Sequence, residues 1–172
     1  QSNITGQSCQ PKASDVVSAI ETAIKSGVDT KKTEIAFFGG SFTAIDREYM
    51  VSLLDATKPY INDFYGIRCS TRPDAIDSDV LSLLKSYGVT SIELGAQSMS
   101  DRVLELNERG HNSLDVEKAS ILIKEKGFSL GLQMMTGMYG SNPDLDLDTA
   151  EKIAKLSPDT VRVYPTITMK NT

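Results

Sequence analysis

Two adjacent glycines, followed by hydroxyl side chains, form the part of the sequence best suited to bind a ligand. Gly39 and Gly40 end a short apolar run over residues 35–38. Ser41 and Thr43 come directly after them. Glycine lets the backbone turn freely and lets a ligand approach the main chain closely. The stretch therefore predicts a buried strand that ends in a binding edge of main-chain groups and hydroxyls.

Polar side chains recur where each later strand-like run ends. In parallel α/β folds the ligands bind at the carboxyl ends of the strands, and in a barrel these ends meet on one face. The repetition fits a shared site and fits equally well strand ends that simply lead into polar loops. The residues are Ser70 to Arg72, Gln97 with Ser98, Gln133, and Arg162 with Tyr164.

A serine behind two glycines matches the nucleophile turn of a hydrolase only in part. The motif Gly-x-Ser-x-Gly needs a fifth-position glycine, where this chain has Thr43. Ser41, Asp74 and His111 do occur in the order of a Ser–Asp–His triad. Because the strained turn lacks its second glycine, a nucleophilic serine is disfavoured.

Three aspartates at alternate positions within residues 144–148 resemble the start of a calcium-binding loop. Such a loop needs glycine at its sixth position and glutamate at its twelfth, where this chain has Thr149 and Lys155. Carboxylates also favour the amino terminus of a helix. The sequence therefore predicts a helix start here and no metal site.

Arg109 and the two residues after it, Gly110 and His111, leave two interpretations open. Gly110 is typical of a helix that ends in a left-handed turn. The guanidinium of Arg109 is also the natural bidentate partner of a ligand carboxylate. The sequence alone does not decide between a helix stop and a binding residue.

The elements that position these residues alternate between helical and strand-like patterns. The order is one helix, then four strand–helix units, then a strand, which demands parallel strands and right-handed crossovers. An open doubly wound sheet and a (β/α) barrel both satisfy it. The leading helix has no strand before it, so a first strand is expected upstream of Gln1. The predicted strands cover residues 35–38, 67–71, 91–97, 128–135 and 160–164, and the first of them is expected to be buried on both faces. Ser14 or Asp15 is expected to cap the first helix, and the helix before the last strand is expected from about Leu147 to Leu156.

Length and composition predict a single globular domain over residues 1–172. The chain is 40% hydrophobic and 24% charged, with a net charge of −5, which gives no basic footprint for nucleic acid. No apolar run approaches the length of a membrane span, and no signal peptide is apparent. Cys9 and Cys69 are expected to be reduced, since they are far apart and nothing indicates an extracellular setting. A cytoplasmic protein is expected.

Five phrases in order resemble the radical S-adenosylmethionine (SAM) superfamily, and within it the branch of the Elongator catalytic subunit and of oxygen-independent coproporphyrinogen oxidase. The resemblance covers nearly the whole chain. It implies an α/β fold, a truncated, partial (β/α)6 TIM-like barrel of about five strands, that binds SAM. The phrases are Phe37 to Thr43, Ser70 to Asp74, Ile92 to Met99, Arg109 to His111, and Tyr164 to Thr166.

The resemblance also implies how each candidate residue holds SAM. Gly39 and Gly40 would accept its amino group, and Arg109 would pair with its carboxylate. The other candidates surround the rest of the cofactor: Ser41 and Thr43 near the amino group, Gln97 at the methionine or ribose, Gln133 at the ribose, Tyr164 at the adenine, and Ser70 with Arg72.

The chain departs from the family at the iron–sulfur cluster. Relatives bind a [4Fe-4S] cluster, which cleaves SAM to a 5′-deoxyadenosyl radical, through the motif C-x3-C-x2-C. Cys9 and Cys69 cannot supply three thiolates. The opening residues resemble the segment just downstream of that motif, which suggests a catalytically incompetent fragment whose parent carries the cluster. Met138 and Tyr139 also stand where relatives commonly have Leu-Pro.

Substrate and assembly are less defined by the resemblance. Relatives include transfer RNA modifiers and tetrapyrrole enzymes, so the parent's substrate is expected to be an RNA or a tetrapyrrole. The alternative interpretation is a non-catalytic or phosphate-binding (β/α) barrel that uses Gly39 and Gly40 as a backbone anion cradle.

Overall fold

The computed structural model describes residues 10–167 and contains one sheet of five parallel strands. Their lateral order is β1-β2-β3-β4-β5, the same as their order along the chain. A doubly wound sheet would reverse its strand order at a switch point, whereas a barrel adds each strand beside the last. The fold is therefore a partial (β/α) barrel, as predicted. The strands are β1 (Glu34–Phe37), β2 (Gly66–Thr71), β3 (Val89–Gln97), β4 (Ser129–Thr136) and β5 (Thr160–Pro165).

Six α-helices connect and flank these strands. Four of them begin at a side chain that accepts a hydrogen bond from the first turn, namely Asp46, Asp77, Asn112 and Asn142. None of the helices within residues 10–167 is long and apolar enough to cross a membrane. The helices are α1 (Ala13–Lys25), α2 (Arg47–Asp55), α3 (Ser78–Ser86), α4 (Asp101–Leu106), α5 (Ser113–Glu125) and α6 (Pro143–Lys155).

The structure corrects three local expectations. β1 was expected to be buried on both faces, but Ile35 is buried while Ala36 is exposed. Its only neighbour among the described strands is β2, so it forms an edge. Ser14 or Asp15 was expected to cap α1, but the helix begins at Ala13, and the Asp15 carboxylate accepts a hydrogen bond from the main-chain nitrogen of Lys12 at 2.7 Å.

The third correction concerns α6, which begins before the residues at which it was expected to start. Asn142 caps it and Pro143 occupies its first turn, where proline is favoured. Asp144 and Asp146 therefore lie in the first turn of a helix, as the sequence indicated. No group of three or more possible metal-ligating side chains occurs within residues 10–167.

The apolar core lies between the sheet and the helices. Along β3, Ile92 and Leu94 are fully buried, and they alternate with the polar residues Ser91 and Glu93. Period-two alternation of this kind sends one set of side chains to the helices and the other set to the inner face of the barrel. Each fully buried leucine or isoleucine contributes about 1.5–3 kcal/mol. The other fully buried large residues include Leu54, Ile67, Leu81, Leu84, Ile123, Leu130, Leu132 and Ile153.

The inner face of the barrel carries charged side chains that pair with one another. Arg68 donates to Glu34 Oε2 at 2.6 Å and to Glu93 Oε1 at 2.9 Å. Arg162 Nη2 forms an ion pair with the same oxygen of Glu93 at 2.9 Å. Desolvation lowers the pKa of Arg68, but its hydrogen bonds to both carboxylates outweigh that effect and raise the pKa above its ordinary value. Two carboxylates thus balance two guanidiniums inside the barrel.

Gly131 provides the space for this charged cluster. It is the Cα partner of Glu93 across β3 and β4. A Cβ atom at Gly131 would lie 2.8 Å from Glu93 Cγ and 3.0 Å from Thr160 Oγ1. Glycine is needed here because of the close approach, since the backbone conformation itself is ordinary for a strand.

We expect Gly131→Ala to lower the free energy of unfolding by about 1–3 kcal/mol, because the added methyl group overpacks the interior. Chemical denaturation monitored by circular dichroism measures the change. Gly40→Ala is the matched control, since a Cβ there meets no atom within 4 Å. Equal stability of the two variants would contradict the packing account.

Candidate functional site

A cavity of about 790 Å³ opens at the carboxyl ends of the strands. Of the ten candidate SAM-binding residues, all but Thr43 line it, so these polar residues lie around one cavity. The surrounding structure therefore unites residues that are up to 126 positions apart in the sequence, from Phe38 to Tyr164. The lining residues are Phe38, Gly39, Gly40, Ser41, Ser70, Thr71, Arg72, Gly95, Gln97, Glu108, Arg109, Gln133, Arg162 and Tyr164.

The glycine edge follows β1 and faces open space. Gly39 has φ +95°, a conformation that L side chains rarely adopt. A Cβ at either glycine would meet no protein atom within 4 Å. The turn is anchored by Phe42, which is buried and stacks on Phe37 with ring centroids 4.4 Å apart. The main chain of the two glycines is thus fixed in place and accessible to a ligand.

Thr43 lies behind the cavity wall. Its hydroxyl is 2.6 Å from the Thr71 hydroxyl and donates to the carbonyl oxygen of Ala75 at 2.6 Å. These bonds tie the loop after β1 to the end of β2. In this arrangement Thr43 supports Thr71, which does line the cavity.

Ser70 and Arg72 differ in what they offer a ligand. The Ser70 hydroxyl is buried and has no hydrogen-bond partner among residues 10–167, which leaves it available to a bound molecule. Arg72 is already paired, since its Nη2 atom forms a salt bridge with Asp74 Oδ2 at 2.8 Å. Ser70 is therefore the stronger candidate for direct contact.

Gln97 ends β3 in a strained conformation. It has φ +65°, one of three positive values found at residues other than glycine within residues 10–167. The register between β3 and β4 shifts between Gly95 and Gln97, so a bulge occurs at this point. A Cβ at Gly95 would lie 2.5 Å from Gln97 Nε2, which shows that the amide folds back over the glycine. Strain and bulges of this kind concentrate at functional sites.

Arg109 projects into the cavity from a sharp loop after α4. Glu108 before it has φ +51° and Gly110 after it has φ +76°. Its side chain forms no salt bridge or hydrogen bond with the other residues that the structure describes. Burial lowers the pKa of the guanidinium, although the group stays protonated at ordinary pH. A half-buried cation without a partner is well suited to receive an anionic ligand group.

His111 does not take part in a hydrolytic arrangement. Its Nε2 atom is 3.1 Å from the carbonyl oxygen of Ala96, and the ring is buried. This bond holds the loop after α4 against β3. The interpretation of Ser41, Asp74 and His111 as a catalytic triad therefore finds no support in the geometry.

Sequence reasoning did not assign several of the lining residues. Phe38 lies half exposed beside the glycines, and the guanidinium carbon of Arg162 lies 5.3 Å from the centre of its ring. Gly95 and Glu108 also line the cavity, as does Thr71, which the sequence had included only within the polar end of its strand. Arg162 was recognised only as a polar strand end. A charged residue inside an otherwise apolar strand, such as Glu93 in β3, would have signalled the inner polar face.

The described residues do not fit an iron–sulfur cluster. They contain no group of three or more possible ligands, and Cys69 is fully buried in the core. Burial raises the pKa of Cys69 to about 12, and the charge of Glu93 adds to this shift. Because the thiolate is the metal ligand, Cys69 is unsuited to bind iron. Cys9 lies outside the described residues.

Among known proteins, the model of the Radical SAM superfamily matches residues 7–160. The tRNA uridine(34) acetyltransferase of Methanocaldococcus jannaschii is 32% identical over 177 aligned positions, covering 89% of this chain and 32% of that protein. This chain therefore spans about a third of the length of that relative.

Two solved structures are similar in fold. The archaeal Methanocaldococcus infernus Elp3 with an N-terminal deletion gives a TM-score of 0.78 at 28% identity, over 93% of this chain and 43% of the other. Coproporphyrinogen III oxidase from Escherichia coli, a radical SAM enzyme, gives 0.69 at 20% identity over 91% and 38%. The second likeness shows the fold alone. With the family model matching most of its length, the chain belongs to the radical SAM superfamily of enzymes.

Proposed function

We propose that the cavity binds S-adenosylmethionine, with the methionyl end held between the glycine edge and Arg109. The observation that carries this proposal is the half-buried guanidinium of Arg109, which lines the same cavity as Gly39 and Gly40 and has no partner among residues 10–167. The methionyl end of SAM is a zwitterion, with an ammonium and a carboxylate on one carbon. An open backbone edge and an unpaired guanidinium complement these two charges.

The remaining lining residues suit the polar and planar parts of the same molecule. The unpartnered hydroxyl of Ser70 and the hydroxyl of Ser41 can bond the amino acid portion. Gln97 and Gln133 offer amide groups for the ribose hydroxyls, and Tyr164 offers an aromatic edge for the adenine. A cavity of about 790 Å³ lies within the range of sites that enclose ligands of this size.

The role of this chain's own residues is to bind and orient SAM. In the superfamily a [4Fe-4S] cluster supplies the electron, and the described residues do not fit that cluster. The 32% identity to a tRNA uridine(34) acetyltransferase favours a transfer RNA over a tetrapyrrole as the substrate of the whole protein, because the tetrapyrrole enzyme is only 20% identical. With a net charge of −5, this chain is poorly suited to hold a phosphate backbone by itself.

We expect Arg109→Ala to weaken SAM binding by about ten- to a hundredfold, because it removes a hydrogen-bonded ion pair with the carboxylate. Isothermal titration calorimetry on the purified chain measures the dissociation constant. Arg102→Ala is the matched control, since Arg102 is exposed on α4, the helix that precedes the Arg109 loop, and does not line the cavity.

Inorganic phosphate should be titrated in parallel. Saturable phosphate binding without any response to SAM would overturn the proposal in favour of a phosphate-binding barrel. Unchanged SAM affinity in Arg109→Ala would instead support the interpretation that Arg109 belongs to a helix stop and does not bind the ligand.

Gly40→Val should abolish SAM binding without loss of stability. Its Cβ has open space and its backbone conformation is not left-handed, so the branched side chain obstructs a ligand but no protein atom. Thermal unfolding and calorimetry on the same sample separate the two effects. A variant that binds SAM as the parent does would show that the ligand does not approach this glycine.

For the whole protein, we expect deletion of its gene to remove a modified uridine from transfer RNA, as the relative's activity suggests. Mass spectrometry of nucleosides from digested transfer RNA measures this loss, and re-expression of the gene is the control. Unaltered transfer RNA together with altered porphyrin content would favour a tetrapyrrole substrate instead.

A further inference from the structure

Glu93 is the most completely enclosed charged side chain among the described residues, with 1% of its surface exposed. Its Oε1 atom accepts a hydrogen bond from Arg68 at 2.9 Å and forms an ion pair with Arg162 Nη2 at 2.9 Å. Its Oε2 atom accepts one from Gln133 Nε2 at 2.6 Å. The carboxylate on β3 is therefore bound by side chains from β2, β4 and β5. Two of these three partners, Gln133 and Arg162, line the cavity.

The backbone directs this carboxylate toward the strands that carry its partners. Gly131 lies opposite Glu93 on β4, and its missing Cβ leaves room for Glu93 Cγ. Glu93 can therefore lie over β4 and reach Gln133, two residues further along that strand. Gln133 is in turn the Cα partner of Arg162 on β5. The register of β3, β4 and β5 thus places Gln133 and Arg162 beside the Glu93 carboxylate.

The bond to Glu93 selects one orientation of the Gln133 amide. An ionised carboxylate only accepts hydrogen bonds, so the NH2 group of Gln133 must face it. The amide oxygen is then left as the free acceptor, with no partner among residues 10–167. Without Glu93 the amide could turn over and present its donor instead. A ligand hydroxyl that donates a hydrogen bond requires the first orientation.

Arg162 is held across the cavity by the same group. Its guanidinium forms an ion pair with Glu93 and lies 5.3 Å from the ring centre of Phe38, which follows β1. Phe38 and Arg162 come from the two edges of the sheet, so this contact spans the cavity. Since 43% of the Arg162 side chain is exposed, it has freedom to move once the ion pair is lost.

We infer that Glu93 is a positioning residue of the binding cavity, which fixes the amide of Gln133 and the guanidinium of Arg162 for the bound ligand. This inference deepens the proposed function and rests on it for the identity of the ligand. The positioning of Gln133 and Arg162 itself follows from contacts present without any ligand.

Glu34 provides a matched control on the same inner face. It accepts a hydrogen bond from Arg68 at 2.6 Å and one from Ser91 at 2.8 Å. Like Glu93 it therefore binds Arg68, but it contacts neither Gln133 nor Arg162 and does not line the cavity. Loss of either carboxylate removes one charge from the interior, and only the loss of Glu93 releases cavity residues.

The first arm of the test needs no ligand. In nuclear magnetic resonance spectra of the chain, the side-chain NH2 signals of Gln133 should report its short bond to the carboxylate. Glu93→Gln should shift these signals and accelerate their exchange with water, whereas Glu34→Gln should leave them in place. Unchanged Gln133 signals in Glu93→Gln would overturn the inference, whether or not the chain binds SAM.

The second arm measures SAM affinity. Glu93→Gln should weaken binding by about tenfold or more, and Glu34→Gln by less than about twofold. In a Gln133→Ala/Arg162→Ala background, Glu93→Gln should have little further effect, because the residues through which it acts are gone. Equal losses in Glu93→Gln and Glu34→Gln, or a full additional loss in that background, would overturn the inference.

Thermal unfolding of each variant is recorded first. If Glu93→Gln does not fold, Glu93→Asp replaces it. Aspartate keeps the negative charge, but its side chain is one methylene group shorter, so the carboxylate lies farther from Gln133. A parent chain that binds no SAM would refute the proposed function while the first arm still decides whether Glu93 positions Gln133.

Discussion

The arrangement of this half-barrel depends on the hydrogen bonds and ion pairs of one buried carboxylate, that of Glu93. Removing a partner from a buried ion pair costs about 3–5 kcal/mol, so a fully enclosed charge such as Glu93 constrains everything around it. Its partners come from β2, β4 and β5, and Arg68 extends the cluster to Glu34 on β1. All five strands therefore contribute to one electrostatically balanced layer. The cavity lies directly beyond this layer and shares Gln133 and Arg162 with it.

The site itself combines rigid support with unsatisfied groups. Phe42, Thr43 and His111 hold the loops around the cavity through stacking and hydrogen bonds. The cavity groups left without partners among the described residues include the Ser70 hydroxyl and the Arg109 guanidinium. A buried polar group without a hydrogen-bond partner lowers the free energy of unfolding unless a ligand or a water molecule bonds to it. This contrast is the physical reason to regard the cavity as a binding site for a zwitterion.

Local sequence patterns were sufficient to predict the elements and much of the site. Apolar runs, helical spacing and glycine stops indicated the β/α order, and the rule that parallel strands converge at their carboxyl ends placed Gln97, Gln133 and Tyr164 on one face. The prediction that β1 is buried on both faces was wrong, because the burial of a strand depends on which strands lie beside it. The partners of Glu93 were missed because they are up to 69 positions away along the chain, from Glu93 to Arg162, and only the strand register brings them together.

If the cavity holds SAM by its methionyl end, SAM must perturb the backbone amides of Gly39 and Gly40 and the side-chain Nε signal of Arg109. A titration of the isotope-labelled chain with SAM, followed by two-dimensional nuclear magnetic resonance, measures these signals. We expect them to move together and to saturate with one dissociation constant, while the signal of Arg102 stays fixed. Absence of any saturable shift, or shifts confined to residues outside the cavity, would show that SAM is not held in this way.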